Sequence, residues 1–313
     1  MEETRITNSI YEENWWLDTV AGNQWERIIV KKSNGEIAAA FPIYKTKKFG
    51  FKVLETPPLS PTCGIYFEKT GAKQSKRLEK TKDMIYEILK QLPNKYNHDF
   101  RLDINNDYFL PFYWKGYKIT PLISYQIENL SDLDTVWKGF KENIKTDIRK
   151  AQKNVKVYDD RDIDVLVDIC RKTYKRQDRK LPWDIELMKK LDGILTEKRA
   201  RKLLCAVDAQ GNIHAVAYFI YDNRRCYYFK GGTDEKYRNS GAMSLLVWEG
   251  IKFAAEVSEI FDFEGSMVES IERFDRGFGG TPQVYYRVTK QNFLLSFFDY
   301  IKPNIKRLLG YKI

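Results

Sequence analysis

Apolar residues in the second half of the chain switch between a period of two and a period near 3.6, and the switches mark an order of elements. Val155–Tyr158 reads as a short strand, followed by a helical pattern from about Asp162 to Gln177. Pro182 marks the start of a second helix, Asp184–Glu197. Three strand-like runs follow, Lys202–Asp208, His214–Tyr221 and Arg225–Gly231, separated by polar turns at 208–212 and 222–224 that suit hairpins. Ser240–Val257 carries Leu245, Leu246, Trp248, Ile251 and Ala255 at helical spacing. Ile260–Glu264 then reads as a strand, Val268–Gly277 as a short helix and Gln283–Thr289 as a final strand.

The first half reads as a reduced copy. Tyr11–Val20 is helical and holds the pair Trp15-Trp16. Gln24–Lys31 and Glu36–Tyr44 form a hairpin pattern around Ser33-Asn34-Gly35, and Phe51–Leu54 adds a strand. An amphipathic helix, Lys76–Leu92, precedes strands at Asp99–Ile104 and Leu122–Ile127. An internal echo supports duplication: Gly116, Tyr117, Thr120 and Pro121 fall at the same spacing as Gly277, Phe278, Thr281 and Pro282.

Between the halves, Trp137, Phe140, Ile144, Ile148 and Ala151 form an apolar stripe at steps of three and four, which predicts one helix over 137–156. Lys141, Lys145, Arg149 and Lys153 line another face. Like charges at i,i+4 disfavour an isolated helix by a few tenths of a kcal/mol each. The stripe is read either as a solvated face or as a surface for a polyanion, with Lys145 and Arg149 as substrate-binding candidates.

Composition narrows the chemistry. The 313 residues suffice for two domains, and 43% hydrophobic residues suffice for real cores. Four scattered cysteines and two distant histidines offer no zinc spacing and no recognisable nucleophile–histidine motif, so no metal is expected and the thiols read as free and buried. The polar start and the lack of a long apolar run predict a cytoplasmic protein. A net charge of +10 favours anionic partners such as nucleotides, RNA or phospholipid.

Two stretches carry candidate chemistry. Lys230-Gly231-Gly232 ends a strand, and Arg238-Asn239-Ser240-Gly241-Ala242 opens the next helix. Small residues at a helix N-terminus let a diphosphate reach backbone N–H groups, and an ordinary Ser240 cap is the plain alternative. Further on, Phe261-Asp262-Phe263-Glu264-Gly265 places a carboxylate at a strand end beside glycine, followed by Arg273 and Arg276. Acyl transfer to an amine needs a proton acceptor, for which Glu264 is the candidate, and the arginines suit a phosphate or carboxylate. Glu264 paired structurally with one of those arginines is the equal alternative.

The element order resembles the GNAT acetyltransferase fold. Arg238-x-x-Gly241, with Ala242 next, is similar to the GNAT coenzyme A motif Arg/Gln-x-x-Gly-x-Gly/Ala, except that its last small residue is displaced. Asn143–Ala151 and Ile271–Gly279 resemble stretches of the Fem-like GNAT proteins, which join two GNAT-like halves. The resemblance implies an α/β fold of two tandem GNAT-like domains with mixed central sheets flanked by helices. The expected divisions are an N-terminal half (1–130), a basic connecting helix (131–156), a C-terminal half (157–292) and an amphipathic basic tail (293–313). It also implies an acyltransferase acting on an amine of a cell-envelope or polysaccharide precursor. The expected donor is acyl-CoA (acetyl-CoA first), with aminoacyl-tRNA as the alternative. No insertion long enough for the helical arm of some Fem proteins is present. A different reading is a non-catalytic binder of RNA or anionic membrane. The tail, with Phe293, Leu294, Phe297 and Phe298 beside lysines, predicts a peripheral contact with anionic membrane at its inner face.

Overall fold

The computed structural model describes residues 6–159, 161–176, 178–298 and 301. Mixed sheets flanked by helices divide into two compact units: residues up to Leu122 together with those from Val284, and Ile123–Gln283.

In the first unit, α1 (Asn14–Ala21), β1 (Trp25–Lys31), β2 (Ile37–Lys48), β3 (Phe51–Glu55), β4 (Tyr66–Phe67), α2 (Gln74–Gln91), β5 (Asn97–Arg101) and α3 (Leu110–Trp114) follow in order. Strands β1, β2 and β3 form an antiparallel meander, β4 lies beside β2, and β5 pairs parallel to β3 after the α2 crossover. Phe41, Ile43, Leu54, Ile88, Phe100 and Phe112 fill the core between α2 and the sheet. Trp16 is fully buried and donates its indole N–H to Ser60 Oγ at 2.9 Å, which ties α1 to the loop that holds Pro57, Pro58 and Pro61. Beside it the buried Glu12 carboxylate accepts N–H bonds from Gly64 (2.8 Å) and Asn8 (2.7 Å).

The chain leaves this unit within β6 (Lys118–Ile127) and returns within β12 (Thr281–Lys290). Between them lie α4 (Leu133–Gly139), α5 (Glu142–Asn154), β7 (Val155–Tyr158), α6 (Ile163–Arg176), α7 (Ile185–Glu197), β8 (Arg201–Asp208), β9 (Ile213–Tyr221), β10 (Arg225–Thr233), α8 (Ala242–Val257), β11 (Ile260–Asp262) and α9 (Glu269–Asp275). Strands β7 to β10 are antiparallel neighbours, β11 pairs parallel to β10 after the α8 crossover, and β6 pairs antiparallel to β11. The closing strands are therefore exchanged: β6, from the first half of the sequence, pairs with β11, and β12, from the second half, pairs with β5. Arg287 on β12 holds Asp99 on β5 through two bonds of 2.6 and 2.7 Å.

The single helix expected over 137–156 is two helices. The backbone is extended at Phe140 and Lys141, and the Lys141 N–H bonds the Gly277 carbonyl at 2.9 Å. The Phe140 ring packs edge-on to both Trp248 and Phe278, so burying one aromatic stops α4 and starts α5. Ile144, Ile148 and Ala151 are buried as the apolar stripe predicts. All four cysteines are buried and free. Within the tail, 293–298 is helical, with Leu295 buried, and the remainder apart from residue 301 lies outside the described residues.

Helix α8 crosses the sheet closely because Gly250 meets the face of Phe219: a Cβ there would lie 2.2 Å from the ring. Gly250→Ala is expected to destabilise the protein by about 1–3 kcal/mol. Adding Phe219→Leu should recover part of that loss in urea unfolding, and strictly additive losses would refute this close approach.

Candidate active site

Strands β10 and β11 pair only from Arg225–Ile260 to Tyr227–Asp262. Beyond that point β10 runs on to Thr233 beside β9, with a bulge between Tyr228 and Lys230. The chain after β11 stays with β6 instead, through Phe263 N–H to the Tyr125 carbonyl at 3.0 Å. A fork opens between the two.

Asp262 fixes the base of the fork. Its buried carboxylate accepts from Ser124 Oγ (2.6 Å), Gln126 Nε2 (2.6 Å) and the Glu264 N–H (2.8 Å), with Arg225 Nη1 at 3.8 Å. Glu264 and Gly265 then take left-handed backbone conformations, with φ of +58° and +63°. A non-glycine residue held there costs energy and points to a functional constraint. A Cβ on Gly265 would lie 2.0 Å from the Ile123 carbonyl, so glycine is needed for the chain to pass β6.

Glu264 is near enough to Lys230 for its charge to act on the ammonium. Burial depresses the Lys230 ammonium below the usual lysine range, and Glu264 partly offsets this. The ammonium donates to the Phe229 carbonyl (2.7 Å) and sits 3.8 Å from the Phe229 ring centre. Tyr228 lies beside them, its hydroxyl 3.2 Å from Met243 Sδ, with its acidity suppressed by burial and then by Asp275. Burial first, then Glu272 and Asp262, push Asp275 up to about 8. Cys170 of α6, raised to about 12 by burial, contacts the Gly231 carbonyl through sulfur at 3.6 Å. Sequence reasoning passed over Tyr228 and Asp275, because neither stands in a recognisable motif and only the fold brings Asp275 near Tyr228 and Asp262.

The predicted glycines have packing duties. A Cβ on Gly231 would lie 2.3 Å from the Tyr228 hydroxyl, and one on Gly232 3.0 Å from Ile169 of α6. Gly241 has φ +78°, and a Cβ there would lie 2.2 Å from the Asp147 carbonyl of α5. The side of Gly241 expected to admit a diphosphate is filled by α5. Next to it the Ala242 N–H bonds Ser240 Oγ at 3.3 Å, and the exposed Asn239 accepts from Lys150 Nζ at 2.6 Å through its carbonyl. Arg238 is exposed on the same loop.

The other basic candidates separate. Lys145 is buried, its ammonium bound to Glu142 (2.9 Å) and the Lys138 carbonyl (3.2 Å), so it braces the α4–α5 corner. Arg149 is exposed, its guanidinium 5.7 Å from the Trp137 ring centre. Arg276 grips Glu272 at 2.7 and 3.3 Å, and Glu272 also accepts from the Tyr125 hydroxyl at 2.5 Å. Arg273 is exposed on α9. Among the described residues no group of three His, Cys, Asp or Glu side chains is placed to hold a metal ion.

Three outcomes follow. Asp262→Ala leaves Ser124 and Gln126 without their acceptor and is expected to cost about 3–5 kcal/mol in urea unfolding. Gly241→Ala should destabilise by about 2 kcal/mol or more, since the Cβ would meet backbone and not a movable side chain. The third concerns pH. Asp275 and Glu12 both sit at about 8 in the folded state, above their ordinary values. Each therefore contributes stability that is complete below its ordinary carboxylate range and is lost as pH rises through about 8. Denaturation midpoints should fall from pH 5 to pH 9, and Asp275→Asn or Glu12→Gln should each flatten that slope; an unchanged slope in both variants would contradict it.

Residues 138–266 match the acetyltransferase (GNAT) domain family. No curated protein matches the chain. Among solved structures, FemX aligns with a TM-score of 0.65 at 13% identity, over 90% of this chain and 93% of that one. The C-terminal domain of a putative lysylphosphatidylglycerol synthetase from Agrobacterium fabrum aligns with a TM-score of 0.55 at 9% identity, over 92% and 91%. L-PGS from Bacillus licheniformis aligns at 0.52 and 12% identity, over 87% of each chain. The bulged β10, the α8 crossover and the fork all lie inside the matched domain: the chain carries a GNAT acyltransferase domain within a Fem-like fold.

Proposed function

We propose that the second unit transfers an acyl group to an amine of a cell-envelope or polysaccharide precursor, at the inner face of the membrane. The observation that carries this reading is the fork, where β10 leaves β11, Glu264 acts on the charge of Lys230 and Asp275 acts on Tyr228. The acyl carbonyl lies against the β10 edge, whose backbone N–H groups polarise it. The amine attacks that carbon; an N–C bond forms and the C–S bond of a thioester breaks. The amine proton passes to Glu264, directly or through water, and the departing thiolate takes a proton from solvent. Asp275, raised to about 8, is mostly protonated at neutral pH and becomes a proton acceptor only as pH rises toward that value. Holding the amine against the carbonyl supplies much of the acceleration. Arg273 is left to meet an anionic group of the substrate, because Arg276 is already paired with Glu272.

The donor in this reading is an acyl-CoA, with its diphosphate held by the exposed Arg238 and not against Gly241, whose open side α5 fills. One observation favours aminoacyl-tRNA as a second reading. Helix α5 fills the open side of Gly241 while keeping Lys141, Arg149, Lys150 and Lys153 exposed, a surface suited to a phosphate backbone. The relatives in fold, FemX and the lysylphosphatidylglycerol synthetases, lend it weight. Thermal stabilisation separates the two. Acetyl-CoA should raise the melting temperature, and Arg238→Ala should abolish the rise. Stabilisation by aminoacyl-tRNA alone, lost on Arg149→Ala, would transfer the assignment to the second reading. Glu264→Gln should lower turnover by about a hundredfold with the fold intact. Full activity in that variant and loss in Asp275→Asn would move the base to Asp275.

A further inference from the structure

At one end of the first unit, the C-terminal part of α2, the start of β5 and the end of β12 enclose a cavity of about 660 Å³. Four lysines line it, Lys90, Lys95, Lys115 and Lys290, together with three tyrosines and no carboxylate. Lys115 Nζ sits 4.4 Å from the Tyr86 ring centre, and Lys290 Nζ bonds the Lys115 carbonyl at 2.9 Å, so these two cations are placed, not merely nearby. His98 is depressed to about 4 by burial and by Lys290, so the positive charge of the cavity comes from the lysines, of which Lys90 is paired with Glu87 at 2.6 Å.

Large apolar side chains stand exposed on both sides of this cavity. Trp114 (52% exposed) and Tyr113 precede Lys115, and the helical segment 293–298 follows directly on the lining residue Asn292. Asn292 caps that segment by accepting from the Leu295 N–H (2.8 Å), and it is held in turn by Asn97 (2.7 Å). Leu295 points inward and is buried, which turns Phe293 (81% exposed), Leu294, Phe297 and Phe298 outward. The tip of the β2–β3 hairpin joins them, Phe49 packing on Phe298 with ring centres 5.6 Å apart. Lys47 and Lys52 flank that tip, and Lys52 reaches over Tyr96 of the cavity at 5.6 Å.

Single exposed apolar residues are ordinary, whereas a run of ring contacts from Phe49 through Phe298 and Phe297 to Phe293, joined in sequence to a lysine-lined cavity, is not. We propose that this face docks the first unit on an anionic phospholipid surface, its aromatic side chains entering the headgroup layer and the cavity lysines receiving lipid phosphates. The match is one of chemistry at both levels: Phe, Trp and Leu favour the headgroup–acyl boundary, and lysines set among them meet the phosphate plane. The net charge of +10 draws the whole chain toward such a surface. The docking deepens the envelope-precursor reading above and rests on it only for its purpose. Vesicle binding needs no acyl donor, so the failure of one is distinguishable from the failure of the other.

The experiment is co-sedimentation of the full chain with vesicles of phosphatidylcholine alone or mixed with phosphatidylglycerol, beside a titration with soluble glycerol phosphate. Binding is expected only to the mixed vesicles. Phe293→Ser with Phe297→Ser should abolish it, and Lys95→Gln and Lys115→Gln should each weaken it by roughly fivefold. All four side chains are exposed, so melting temperatures should be unchanged. Equal binding to both vesicle types, or none to either, would overturn the proposal. So would tight binding of glycerol phosphate without vesicle binding, which would make the cavity a site for a free phosphate. A dimer dispersed by Phe293→Ser with Phe297→Ser, in a protein that ignores vesicles, would assign the face to a second copy instead.

Discussion

The carboxylate of Asp262 is the fastening on which the candidate site depends. It draws two side chains of β6 and a backbone N–H beyond β11 to one point, with an arginine of β10 close by. Burying a charge is costly unless donors surround it, and here they come from the strands that must be held together. Because β11 is bound at its end to β6, β10 is free to diverge at its bulge. The same bond from the Glu264 N–H accompanies the left-handed turn at this residue, whose charge acts on Lys230. A structural anion thus creates a place for a chemical one.

The element order was legible because the periodic segments were long. Helices α6, α7 and α8 and strands β7 to β10 fall within a few residues of where alternation and turn chemistry put them. The break at Phe140 was not legible, since Phe140 and Ile144 keep helical spacing, and only the rings of Trp248 and Phe278 decide otherwise. Of the candidate site, the stretch around Glu264 stood out as an acid beside glycine at a strand end. Asp275 did not, because its elevated affinity for a proton comes from burial beside Glu272 and Asp262. Burial of that kind is a property of the fold and leaves no local pattern.

Three glycines around the candidate site share one physical source, the close approach of another backbone. Gly241 and Gly265 are required where backbone meets backbone, at Asp147 and Ile123. Gly279, in the echoed segment, meets the Gly139 carbonyl, where a Cβ would lie at 2.6 Å. A motif of small residues before a helix therefore reports close approach without saying whether a ligand or another helix does the approaching. In this chain helix α5 does so at Gly241, and the exposed Arg238 and the basic side chains of α5 are what remain for an anionic donor.

The exchange of β6 and β12 has a consequence for how the molecule is made. Asp99 and Arg287, which join β5 to β12, stand 188 residues apart. A ribosome adding about 5–20 residues per second needs roughly ten to forty seconds to cover that interval. Throughout it, the nascent first half presents the edge of β5 with its intended neighbour still unmade, and such an edge invites pairing with other chains. The halves therefore cannot mature one after the other as independent beads. The amino-terminal sheet is completed only when translation has nearly traversed the carboxyl-terminal one, which makes the nascent chain a candidate client for chaperones that shield strand edges.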